Sequence, residues 1–216
     1  MSTFDLISGD IEAYCEAHTT PESELLYRLN RQTNLETINP RMLSGQLQGR
    51  FLTFIARMLR PERILEIGTF TGYSALCLAE GLPETGVLHT VEANEEYEER
   101  IVSYFEQSEL NKKIRLHIGK AEDVVPQLEE TWDLVFIDAE KEDYQTFYDL
   151  VFPHVRKGGF ILIDNTLWNG KVVHEVAHND RDTKAVMAFN DFVQKDTRVD
   201  NLLLPFRDGI MMIEKL

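Results

Sequence analysis

The chain has 216 residues, 43% of them hydrophobic, and sets 37 acidic side chains against 22 basic ones for a formal net charge of -15. That length supports one generous core and reads as a single domain. The charge, with no Lys/Arg-rich block, excludes a grip on nucleic-acid phosphates and points to a small-molecule partner.

In chain order, residues 1 to 60 read as helical. Thr20 is an N-cap candidate with Pro21 at the first helical position, and polar turns follow from Asn34 to Pro40. Met1 to Asp5 shows no basic region ahead of an apolar stretch, and no run reaches transmembrane length. The expectation is therefore a cytoplasmic protein without membrane contact. From Gly45 to Leu59, the apolar residues Leu47, Phe51, Phe54, Ile55, Met58 and Leu59 fall at helical spacing and predict one core-facing stripe. Cys15 and Cys77 fit no disulfide framework or zinc cluster and read as packing residues on helices.

From Arg63 onward, strand and helix patterns alternate. Ile64 to Ile67, Val87 to Val91, Ile114 to Ile118, Leu134 to Ile137 and Phe160 to Ile163 are the strands; Tyr97, Ile101, Tyr104 and Phe105 mark one amphipathic helix, and Tyr144, Phe147, Tyr148 and Val151 another. Such alternation predicts βαβ units, a mostly parallel sheet and helices on both faces. Leu202 to Phe206 and Ile210 to Ile213, joined through Asp208-Gly209, predict a C-terminal hairpin that adds an antiparallel strand.

The strand ends carry the chemistry, because ligands in open α/β sheets gather beyond the carboxyl ends of the strands. Strand Leu134 to Ile137 stops at Asp138, and Phe160 to Ile163 stops at Asp164-Asn165. Two carboxylates and an amide oxygen suit Mg²⁺, Ca²⁺ or Mn²⁺; the competing reading is that both aspartates only cap the next helices. Gly68 and Gly72 follow the first strand, where glycine lets backbone approach a ligand and a helix start offers free N–H donors. Their spacing is not Gly-x-Gly-x-x-Gly, and a plain tight turn is the alternative. Glu92, ending the second strand, can accept from both hydroxyls of a ribose or simply favour the next helix start. Gly119-Lys120-Ala121-Glu122 at the third strand can frame the cofactor base. Lys141, three residues past Asp138, becomes a general base if a neighbouring cation lowers its pKa, and is otherwise a solvated turn residue.

These segments resemble the divalent-metal-dependent, S-adenosylmethionine-dependent O-methyltransferases of the caffeoyl-CoA and catechol type. The resemblance covers nearly the whole chain and is most specific in Leu65-Glu66-Ile67-Gly68 with Gly72-Tyr73-Ser74, in Val91-Glu92, in Phe136-Ile137-Asp138-Ala139 with Lys141 and Tyr144, and in Asp164 to Gly170. It implies a Rossmann-like α/β methyltransferase fold with a seven-stranded sheet and an N-terminal helical extension. By this resemblance, Glu66 and Ser74 hold the methionine end of the cofactor and Glu92 the ribose, with Gly68, Gly72, Ala121 and Asp138 beside them. Asp138, Asp164 and Asn165 bind the metal, Lys141 is the base, and Met42 enters the site from the N-terminal helices. A homodimer is also implied. Ala139 and Glu140 depart from the aromatic gate of the catechol enzymes, and Ala121 and Glu122 from the more polar adenine partners seen elsewhere, so the resemblance leaves the acceptor open.

The expected reaction is methyl transfer to one hydroxyl of a vicinal aromatic diol, with Trp168 and Met42 shaping the pocket. Trp168 as plain packing beneath a loop is an equal reading. An NAD-dependent oxidoreductase shares the glycine turn and Glu92 but gives no reason for the aspartates, and a non-catalytic cofactor-binding protein gives none for Lys141. His174-Glu175-Val176-Ala177-His178 matches His-Glu-x-x-His of zinc proteases. It lacks an apolar helical stripe and runs into Asn179-Asp180-Arg181-Asp182, so it reads instead as a mobile loop over the active site.

Overall fold

The computed structural model describes residues 8–216, and the Met1 to Asp5 expectation lies outside them. Helices α1 (Gly9–Ala17), α2 (Glu24–Glu36) and α3 (Gly45–Leu59) precede an alternating series. This runs β1 (Arg63–Ile67), α4 (Tyr73–Glu80), β2 (Val87–Glu92), α5 (Glu98–Glu106), β3 (Ile114–Ile118), α6 (Ala121–Val124), β4 (Trp132–Ile137), α7 (Tyr144–Val151) and β5 (Val155–Ile163). Helix α8 (Arg181–Lys195) and strands β6 (Val199–Leu204) and β7 (Ile210–Lys215) complete it. The described strands form one seven-stranded sheet in the order β3-β2-β1-β4-β5-β7-β6, in which β7 alone runs antiparallel to its neighbours.

The period-2 alternation of the strands builds both layers. Ile64, Leu134, Phe136 and Leu162 face a core shared with α2, α3, α4 and α5, while Leu65, Val135, Ile137 and Ile163 face a second core with α7 and α8. The five parallel-run strands, β7 and both amphipathic helices therefore lie where their patterns place them, whereas β6 spans Val199–Leu204 instead of Leu202 to Phe206. No described helix is long and apolar enough to cross a membrane.

Three local expectations are corrected. The cap of α2 is Ser23, whose Oγ accepts from the Leu26 N–H at 3.3 Å, rather than Thr20. Cys77 is buried but Cys15 is exposed, on a helix with no buried residue. Helix α3 buries Gln48, Gly49, Leu52, Thr53, Ile55 and Ala56, and leaves Phe54 55% and Met58 67% exposed. The reason is close approach to α4: a Cβ on Gly49 would stand 2.7 Å from Cys77 Sγ and the Tyr73 ring, and Thr53 donates to the Cys77 carbonyl at 2.9 Å. Small and polar residues fit that gap beside the buried Leu52 and Ile55, while Phe54 and Met58 are turned outward.

Candidate active site

The chain reverses direction across the sheet between β1 and β4, which is where an open α/β sheet opens a crevice. Each strand extends its ladder by one bond into that crevice. Gly68 N–H donates to Val91 O at 3.0 Å, Gly119 N–H to Glu92 O at 2.8 Å, Asp138 N–H to Ile67 O at 3.0 Å and Asp164 N–H to Ile137 O at 3.0 Å. The strand-end residues thereby share one edge, over a cavity of about 1590 Å³. Its wall includes Met42, Gly68, Ser74, Glu92, Ala121, Asp138, Lys141, Asp164, Asn165 and Trp168. The N-terminal region contributes Asn30, Asn34 and the stretch from Asn39 to Gly45.

Gly68 is required on two counts. Its φ of +100° lies in the left-handed half of the map, and a Cβ there would stand 1.9 Å from the Asp138 carbonyl oxygen. Backbone of the β1 turn and of the β4 end thus touch, so whatever lies along one turn lies beside Asp138. Gly72 is placed differently. It caps α4 at φ +90° and faces the Phe105 ring, off the cavity wall.

Glu66 is fully buried behind that wall, with Thr90 Oγ1 donating to its Oε2 at 2.5 Å and no hydrogen-bond partner for Oε1. Burial pushes its pKa up to about 8 against the opposing influence of the Ser74 and Thr90 hydroxyls. Glu92 accepts from Phe70 N–H at 2.7 Å and Asn94 N–H at 2.8 Å, and burial still holds its pKa above the ordinary carboxylate value. Both oxygens are oriented by backbone, which leaves their remaining lone pairs aimed from a fixed position.

Asp138 and Asp164 form the acidic centre. Burial and then the charge of Asp164 raise the Asp138 pKa, opposed by Lys141 and Arg207. Asp164 Oδ1 accepts from its neighbour's backbone, Asn165 N–H, at 2.8 Å, and its carbonyl from Tyr144 Oη at 2.7 Å. Asn165 takes φ +56°, and Trp168, Asn169 and Gly170 are also left-handed, so this segment bends sharply around the site. Among the described residues no three of His, Cys, Asp or Glu are grouped to hold a metal, and Asn165 lines the same cavity as the two carboxylates.

Lys141 Nζ donates to Ala139 O at 2.9 Å and lies 3.7 Å from Asp138 Oδ1. Its ammonium sits between aromatic faces, 5.5 Å from the Tyr144 ring and 5.4 Å from the Trp168 ring. Trp168 lies partly buried against it, so its packing and its place on the cavity wall are both real. Residues 174–180 form no helix, so His174 and His178 do not stand one helical turn apart on a helix face as the protease pattern requires.

The sequence reading missed Gln48, Arg207 and Asp208, which also line the cavity. Gln48 carried a signal, a polar residue beside Gly49 within an apolar helical pattern; Arg207 and Asp208 looked like ordinary hairpin-turn residues.

The O-methyltransferase family matches residues 16–216. A Dictyostelium discoideum protein named "Probable caffeoyl-CoA O-methyltransferase 2" is 34% identical over 180 residues, covering 81% of this chain and 78% of that one. Caffeoyl-CoA O-methyltransferase 2 of Populus trichocarpa is 33% identical over 188 residues, covering 81% and 75%. The crystal structure of the SAH-bound Podospora anserina methyltransferase PaMTH1 superimposes with a TM-score of 0.88 at 29% identity, covering 96% of this chain and 94% of that one. The chain belongs to the S-adenosylmethionine-dependent O-methyltransferase family of the caffeoyl-CoA type.

Proposed function

We propose that the chain, read as one domain, transfers a methyl group from S-adenosylmethionine to one hydroxyl of a vicinal-dihydroxy aromatic small molecule. In this reading Asp138, Asp164 and Asn165 hold a divalent cation, and Lys141 is the general base. The observation that carries it is the contact of the Gly68 turn with the Asp138 backbone, which sets a cofactor bed and an oxygen-rich acidic centre side by side. Family membership favours methyl transfer over an NAD-dependent oxidoreductase.

The residues fit both groups. The unpartnered Glu66 Oε1 behind Ser74 suits the amino end of the cofactor, and Glu92 suits the ribose hydroxyls. Two neighbouring carboxylates, offset only in part by Lys141 and Arg207, suit a hard cation, with Mg²⁺ preferred and Ca²⁺ or Mn²⁺ chemically similar. S-adenosylmethionine supplies an electrophilic methyl, and the cation supplies Lewis acidity toward the two diol oxygens.

The chain's own residues do the rest. In its neutral amine form, Lys141 Nζ takes the proton from the acceptor hydroxyl and becomes the ammonium, and the Trp168 ring and Met42 wall the aromatic ring of the acceptor. Fixed strand ends hold the reactants in line, an alignment that can contribute roughly 7–11 kcal/mol. The exposed Phe54 and Met58 of α3 support a homodimer, which light scattering checks, and a cytoplasmic address belongs to the same reading. Asp164→Ala is the test of the metal. It should abolish methylation while leaving SAH affinity nearly unchanged, and undiminished wild-type turnover in excess chelator would remove the cation from the account.

A further inference from the structure

Gln48 is 1% exposed on α3, 116 residues before Asp164 in sequence, and the chemistry above does not use it. Its amide is nonetheless committed at both ends. Arg207 Nη1 donates to Gln48 Oε1 at 2.7 Å, and Gln48 Nε2 donates to Asp164 Oδ2 at 2.6 Å. A guanidinium has donors only, so the amide oxygen must face Arg207 and the amide NH₂ must face the carboxylate. The alternative orientation would set the amide oxygen against Asp164 and the NH₂ against Arg207, which is unfavourable at both ends. With Asn165 N–H on Oδ1 and Gln48 on Oδ2, each oxygen of Asp164 has one fixed donor and the plane of the carboxylate is set.

Arg207 itself occupies a costly position. It takes φ +50° in the turn between β6 and β7, a conformation that a long side chain rarely adopts. The hydrogen bond to Gln48 gives that side chain a use at the site.

We propose that Arg207 and Gln48 form a relay that positions Asp164 for cation binding: Arg207 fixes the sense of the Gln48 amide, and Gln48 fixes the carboxylate. This rests on Asp164 being a metal ligand. Both are positioning residues, since neither touches a reacting atom. The sign of the effect separates the relay from plain electrostatics. Arg207 is a cation whose charge reaches Asp138, so deleting it should tighten divalent-cation binding if charge alone mattered. Loss of the relay should weaken it, and removing outer partners of metal ligands typically costs 10–100-fold in affinity.

The experiment titrates Mn²⁺ into the full chain by calorimetry, for wild type, Asp164→Ala, Arg207→Met, Gln48→Met and the double variant. The relay predicts Mn²⁺ affinity lower by about tenfold or more in Arg207→Met, with SAH affinity unchanged. It also predicts that Arg207→Met causes no further loss of affinity in the Gln48→Met background. Unchanged or tighter Mn²⁺ binding in Arg207→Met overturns the relay, as do additive effects in the double variant. If Gln48→Met does not fold, Arg207→Met decides alone, because its turn position is only partly buried. Wild-type binding that Asp164→Ala abolishes and Arg207→Met spares refutes the relay only; a wild type that binds no Mn²⁺ refutes the metal reading along with it.

Discussion

Glu66→Gln isolates what it costs the fold to bury an acid behind the cofactor bed. The wild-type side chain is fully buried with one oxygen unpartnered, and its pKa stands at about 8 against an ordinary 4.5. Folding raises this pKa, so the folded state favours the protonated acid. The associated stability is complete below pH 4.5 and is lost as pH rises toward and through 8. At 1.36 kcal/mol per pKa unit, the wild type should lose roughly 3 kcal/mol between pH 4.5 and 7 and roughly 4 by pH 8. Glutamine is neutral throughout and carries no such penalty. Urea unfolding of both proteins without cofactor, at pH 5, 6, 7 and 8, reads the gap directly. The advantage of Glu66→Gln should widen with pH, approaching about 1.4 kcal/mol per unit in the middle of the window. A gap that stays constant over this range would refute the reasoning, because it would mean that Glu66 ionises equally well folded and unfolded.

Three further outcomes are expected. Glu92→Ala should raise the SAH dissociation constant by at least about tenfold, since each charge-assisted bond to a ribose hydroxyl contributes roughly 1.5–3 kcal/mol; calorimetry showing no change removes the ribose role. Gly68→Ala, with its Cβ 1.9 Å from the Asp138 carbonyl oxygen and a φ of +100°, should cost about 3 kcal/mol or more from overpacking and strain. A wild-type thermal midpoint would contradict that close contact of the β1 turn with the end of β4. Lys141→Met should lower kcat by about 10² to 10⁴ while SAH affinity holds and Mn²⁺ binding is not weakened; an unaltered kcat ends its role as base.

The sheet was legible because its strands are short apolar runs that end at chemically distinct residues: Ile67 at Gly68, Ile137 at Asp138, Ile163 at Asp164. A parallel strand buried on both faces needs little more than such a run, and its end is where a polar side chain can reach the crevice. Helix α3 misled for the opposite reason. Its buried face is chosen by the fit of Gly49 and Ala56 against α4, so the apolar stripe through Phe54 and Met58 does not mark the core. Gln48 and Arg207 were invisible as partners because 159 residues separate them, and only the fold brings the α3 face and the β6–β7 turn to Asp164. Gly72 shows the same limit at short range: its spacing resembles a ligand loop, whereas the Phe105 ring occupies the space beside it.

The most direct test incubates the protein with S-adenosylmethionine, Mg²⁺ and a panel of catechols, caffeate and its CoA ester, and reads products by mass. The account predicts a single added methyl on at least one vicinal diol, loss of that product in excess chelator and its return when Mg²⁺ is restored. Absence of methylated product from every diol, or equal product with and without chelator, would contradict it.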